Sequence, residues 1–141
     1  MMSADSRTVR LDIASSIDMI EMVQTVITHL SGVVGLSEDA THYMSVAVRE
    51  SVVNAIKHGN GLDNAKRVAI DFVMLPEGLE VRVADQGKGF DPSSVPDPVA
   101  EENLLKAYGR GIFFMRSFMD EVEYSVPAAG GTRVRMLKKK T

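Results

Sequence analysis

The sequence contains no cysteine among its 141 residues. That excludes disulfides and thiolate metal sites, and it fits a reducing compartment. An excess of one charge is also missing. Sixteen Lys and Arg stand against 19 Asp and Glu, a net charge of −3, so neither nucleic acid nor an anionic membrane is expected as principal partner. The only basic cluster, Lys138-Lys139-Lys140, reads as a solvated tail. No apolar run of the ~18 residues needed to span a membrane is expected, and the opening MMSADSRTVR holds no hydrophobic signal core. The expectation is a cytoplasmic protein without a membrane partner. His29, His42 and His58 share no metal-ligand spacing, which leaves no metal site made of protein ligands alone. Neither an internal repeat nor a second domain is visible. What is present is ordinary globular composition, 45% hydrophobic and 25% charged, in a chain long enough to bury roughly two thirds of its unfolded surface.

Periodicity places the elements. Val9, Leu11 and Ile13 alternate in Thr8–Ala14, the pattern of a strand. Ser15, Ser16 and Asp18 offer N-caps to a helix running to about Leu30, with Ile17, Ile20, Val23, Ile27 and Leu30 at helical spacing. Gly32 and Gly35 break the chain before a longer helix, Ser37 to Gly59. Ser37 caps it, Glu38 and Asp39 occupy its favourable first turn, and Gly59-Asn60-Gly61 stops it. Val68 to Met74 and Leu79 to Val83 alternate around Pro76-Glu77-Gly78 and predict a hairpin. Asp91 to Tyr108, with Pro92, Pro96 and Pro98, has no period and predicts a long functional loop. A short helix, Ile112 to Met119, follows. Then comes a last hairpin: Glu121 to Val126, a turn at Ala128 to Gly131, and Thr132 to Leu137. Two hairpins and three helices predict an α/β two-layer sandwich, a mixed, mostly antiparallel sheet with helices packed on one face.

Three segments carry chemistry. Glu50 and Asn54 lie four apart on the long helix, one turn above each other, amid Val46, Val48, Val52, Val53 and Ile56. Asp85-Gln86-Gly87-Lys88-Gly89-Phe90 follows the strand that ends at Ala84. Gly109-Arg110-Gly111 sits between the long loop and the third helix, whose N-terminus attracts phosphate. Glycine pairs at such junctions let backbone approach a ligand closely. The phosphate loop Gly-x-x-x-x-Gly-Lys-Ser/Thr is absent, and neither pair has the third glycine of a dinucleotide or protein-kinase loop. Each segment also has a plainer explanation. Glu50 and Asn54 fit a solvated stripe, with Glu50 paired to Arg49 or Lys57, and Asp85-x-Gly87 fits an ordinary turn. Gly109-x-Gly111 fits a hinge, and His58 complements a helix C-terminus.

Taken in order, the segments resemble the Bergerat-type ATPases, the superfamily of type II topoisomerases, a heat-shock chaperone class, mismatch-repair proteins and histidine kinases. The N-box is similar to Glu50-Ser-Val-Val-Asn54-Ala-Ile-Lys-His58-Gly59. The first glycine box is similar to Asp85-Gln-Gly87-Lys-Gly89-Phe90, and the second to Gly109-Arg-Gly111-Ile-Phe-Phe-Met115. With Phe118-Met-Asp-Glu-Val-Glu-Tyr124 and Gly131-Thr132-x-Val-x-Met136, the chain looks like the small bacterial anti-sigma-factor serine kinases over nearly its whole length. The second box departs from the wider pattern: Phe113 and Phe114 stand where many relatives carry a further glycine, and Arg110 would compensate as a phosphate clamp.

The resemblance implies one histidine-kinase-like ATPase domain over residues 1–141, using ATP and Mg2+. Asn54 would bind Mg2+ through its amide oxygen, and His58 would lie with it on the nucleotide side. Asp85 would accept the exocyclic amine of adenine, with Thr132 in support. Gly87 and Gly89 would pass close to base and ribose. Gly109, Arg110 and Gly111 would wrap the phosphates, with Asp91 to Tyr108 as a lid. Glu50 would be the general base for the attacking hydroxyl. By the same resemblance the protein holds a sigma factor inactive and phosphorylates an anti-anti-sigma protein on serine or threonine, as a homodimer. Two alternatives stay open: a nucleotide-binding partner switch without transfer, and a histidine-kinase catalytic domain. Against the latter, the ~40 residues before the N-box read as one strand and one helix rather than a phosphoacceptor helix pair.

Overall fold

The computed structural model describes residues 7–87 and 111–141. Five strands form one sheet: β1 (Thr8–Ala14), β2 (Arg67–Leu75), β3 (Gly78–Ala84), β4 (Glu121–Ser125) and β5 (Arg133–Lys139), in the order β1-β2-β3-β5-β4. Every pairing among them is antiparallel. The parallel component allowed by a mixed sheet is therefore not found among the described strands. Among the described residues three helices accompany the sheet: α1 (Ile20–Val34), α2 (Glu38–Asn54) and α3 (Gly111–Phe118).

Strand alternation decides which face the helices cover. In register, Leu11, Ile70, Val83, Val134 and Tyr124 form one row, and Val9, Phe72, Val81, Met136 and Val122 the next. Both rows meet α1 and α2 through Val23, Ile27, Met44, Val48 and Val52, which are fully buried. Burying one such side chain contributes about 1.5–3 kcal/mol. Tyr43 of α2 stacks on Phe118 of α3 at 4.6 Å and ties the third helix to the second. The opposite face carries the polar registers instead, such as Arg10, Asp71, Arg82, Arg135 and Glu123.

Differences from the sequence expectation are local. The first helix starts with a 3-10 turn, Ile17–Met19, and runs to Val34; Gly32 lies inside it, and the stop is Gly35 at φ 90°. None of the expected N-caps accepts a backbone N–H at its start: Ser15 Oγ donates to the Lys66 carbonyl, and Ser16 pairs with Asp18. Ile17–Val34 is also long and apolar enough, by length and composition, to cross a membrane, contrary to expectation. Its inward stripe of Ile20, Val23, Ile27, Leu30 and Val34 belongs to the core. The loop Asp91 to Tyr108, with Gly89, Gly109 and Arg110, lies outside the described residues.

Candidate functional site

Ser37 Oγ accepts the Ala40 N–H at 3.1 Å and starts α2, the element on which the site is built. Regular winding ends at Asn54. Ala55–Gly59 forms a π-turn, closed by the Asn60 N–H on the Ala55 carbonyl at 2.8 Å. Such widened turns are rare and collect at functional sites. Here it presses Gly59 against the end of β3. A Cβ on Gly59 would collide with the Asp85 carboxylate, and one on Gly87 with the Gly59 carbonyl. Only glycine permits this approach of backbone to backbone.

Asp85 is the buried centre of the arrangement. Its Oδ1 accepts the N–H of Gly87 at 3.0 Å and of Thr132 at 3.1 Å, while its own N–H donates to the Thr132 carbonyl at 3.0 Å. Burial pushes its pKa above the usual carboxylate value; the two backbone donors and the charge of Lys66 oppose that shift without cancelling it. Asp85 lines a small cavity of about 20 Å3, partly open to solvent, with Ser51, Asn54, Val83, Tyr124 and Thr132. Two buried polar atoms in this lining, Asn54 Nδ2 and Thr132 Oγ1, have no hydrogen-bond partner. Buried polar atoms are nearly always paired. Two orphans beside a buried carboxylate, with apolar Val83 and Val134 around them, suit a planar ligand with a polar edge.

The structure thus brings Asn54, Asp85, Gly87 and Thr132 together. Glu50 is half-buried one turn before Asn54 and is not part of the cavity lining. It forms no ion pair with Arg49 or Lys57, so the surface-pair explanation is not seen. His58 sits exposed on the π-turn, outside the cavity lining. Gly111 is the first residue of α3. Three contributors were not singled out from sequence. Ser51 and Tyr124 line the cavity, and Asn60, read there only as a helix stop, is buried at 2% exposure and hydrogen-bonded. For Tyr124 a signal existed, since it lies on the apolar side of an alternating strand; for Asn60 there was none.

A family model described as the histidine kinase-like ATPase domain matches residues 13–138. The chain is similar to the serine-protein kinase RsbW of Bacillus velezensis, at 32% identity over 89% of this chain and 88% of the relative. It is also similar to the serine-protein kinase RsbW of Bacillus licheniformis, at 28% over 86% and 78%. Among solved structures it matches the RsbU and RsbW domains of Rv1364c from Mycobacterium tuberculosis, with TM-score 0.68 and 15% identity. That match covers 94% of this chain and 32% of the other, and it concerns the fold.

Proposed function

The chain belongs to the histidine kinase-like ATPase domain family, among relatives of the RsbW serine-protein kinases, and on that premise we propose how its own residues carry out ATP-dependent phosphorylation of a protein serine or threonine. The observation that carries the proposal is the Asp85 cavity, where a buried carboxylate and two orphaned polar atoms await a ligand edge. Asp85 accepts the adenine amine through Oδ2, the oxygen not engaged by Gly87 and Thr132. The Thr132 hydroxyl and the Asn54 amide gain partners only when the nucleotide is present.

Glu50 is the general base. The acceptor hydroxyl gives its proton to the Glu50 carboxylate as its oxygen bonds to the γ-phosphorus of ATP. The bond to the bridging oxygen breaks, and ADP leaves. Such a base contributes typically about 10²–10⁴ in rate, the rest being positioning and charge neutralisation. When bound, Mg2+ supplies that neutralisation at the phosphates. Among the described residues no group of three His, Cys, Asp or Glu could hold a metal. By the resemblance, Asn54 would be the protein ligand of Mg2+, together with phosphate oxygens of the nucleotide. Its nitrogen has no partner to lock the amide, which leaves the group able to turn its oxygen to a hard cation. By the resemblance, His58 would lie at the same end of the nucleotide, Gly89 would pass close to base and ribose, and Gly109, Arg110 and Gly111 would wrap the phosphates.

The protein acts in the cytoplasm as a homodimer and an anti-sigma factor, and its phosphoryl acceptor is an anti-anti-sigma protein. Sedimentation should give twice the 15.4 kDa chain mass; a monomer at micromolar concentration removes the dimer. Single-turnover transfer from labelled ATP tests the mechanism. Glu50→Ala should bind nucleotide nearly as wild type yet transfer about 10²–10⁴ more slowly. Normal transfer by Glu50→Ala ends the general-base assignment, and binding without transfer by wild type leaves a nucleotide-gated switch instead.

A further inference from the structure

We infer that Asn60 is the positioning residue that sets the base-reading carboxylate, an inference that rests on Asp85 being the adenine acceptor proposed above. Asn60 directly follows the π-turn and is buried at 2% exposure. Its Oδ1 accepts the N–H of Gln86, the residue after Asp85, at 2.7 Å. Its Nδ2 donates to the Arg67 carbonyl at 3.0 Å and to Ser15 Oγ at 2.8 Å, while Ser15 Oγ itself donates to the Lys66 carbonyl at 2.7 Å. Gln86 closes the ring, its Oε1 accepting the Arg67 N–H at 2.6 Å. Every donor meets an acceptor, so the amide has one orientation only.

This arrangement joins the end of β1, the start of β2, the end of β3 and the end of the α2 π-turn at one side chain. Of these joints, the Gln86 bond is the one that bears on chemistry. Asp85 is fixed on its other side by Thr132, which both donates to and accepts from it. Gripping Gln86 N–H holds the chain on the second side and keeps the carboxylate facing Gly59, where any slack would turn Oδ2 away from the cavity. A buried side chain acting only as a structural tie would affect stability without affecting which base is bound.

The test compares ATP with GTP affinity, by calorimetry, in wild type, Asp85→Asn, Asn60→Ala, Asn60→Asp and Ser15→Ala, with a melting temperature for each. Asn60→Ala is expected to lower the preference for ATP by about tenfold or more, the effect of misaligning one charge-assisted bond. Asn60→Asp keeps an acceptor for Gln86 N–H and turns an oxygen toward the Arg67 carbonyl. Ser15→Ala removes only a partner of Nδ2. Both should melt at lower temperature and keep the preference. If Asn60→Ala does not fold, Asn60→Ser, whose hydroxyl is too short to reach Gln86, replaces it. Asn60→Ala, or Asn60→Ser in its place, keeping the wild-type preference overturns the inference, as does equal loss in Asn60→Asp and Ser15→Ala. If wild type itself shows no preference, or Asp85→Asn retains it, the adenine-acceptor proposal falls and takes this inference with it.

Discussion

At the scale of single residues, Asp85 combines a stability cost with a binding role. Its folded pKa lies above its ordinary value near 3.8, chiefly through burial. A raised carboxylate pKa means the folded state holds the proton more tightly than the unfolded state. Asp85 therefore lowers stability progressively as pH rises from about 3.8 through its folded value, and it has no such effect below both. Asp85→Asn removes this titration. Without nucleotide, the variant should melt at or above the wild-type temperature at pH 7, and the gap should close as pH falls toward 3.8. A gap that widens on acidification contradicts the sign. With nucleotide, Asp85→Asn should lose ATP affinity selectively over GTP in calorimetry, so the change that relieves the apo protein weakens its ligand.

At the scale of elements, two glycines show how context decides what a residue is for. Gly32 sits exposed within α1, and an added Cβ would meet nothing within 4 Å. Gly32→Ala should therefore raise stability by about 0.5–1 kcal/mol, through helix propensity and a less flexible unfolded chain. Urea unfolding is the check, and a loss of stability would mean the helix is not regular there. Gly59 lies at the end of the π-turn against Asp85, where a Cβ would collide with the carboxylate. Gly59→Ala should push β3 and the π-turn apart and weaken ATP by about tenfold or more, at one hydrogen bond's magnitude. Wild-type ATP affinity in Gly59→Ala would show that the close approach is dispensable. From sequence both glycines read as breakers; only the fold separates them.

At the scale of the molecule, the sheet face opposite α1 and α2 is held by charge. Glu80 is buried at 7% exposure between Arg82 and Arg135, each at 2.7 Å, and Arg135 also reaches Glu121 at 2.7 Å. These carboxylates hold the Arg135 guanidinium firmly charged, its pKa pushed upward by Glu121 first and then Glu80. Arg135→Ala leaves Glu80 with Arg82 alone and should destabilise the fold by about 1–2 kcal/mol, a value between exposed and buried pairs. Denaturant titration at low and high salt tests it, and no change in midpoint would reduce the network to a solvated surface.

Much of this was legible without coordinates because it depends on local spacing. Thr8–Ala14 was delimited to the residue, since alternation of Val9, Leu11 and Ile13 admits one strand register. Ser37 declared itself as a cap for the same reason, its side chain serving an N–H three residues on. The spacing of Glu50 and Asn54, and the order of the glycine segments, pointed to a nucleotide through resemblance. What the tertiary structure decided was every contact between segments distant along the chain. Asn60 has no signature, because its partners Ser15, Arg67 and Gln86 come from three other strand ends. The raised pKa of Asp85 likewise arises from burial under Gly59 and Gly131, not from its neighbours in sequence. Periodicity reports which face a side chain takes; it carries no information on what another element places opposite that face.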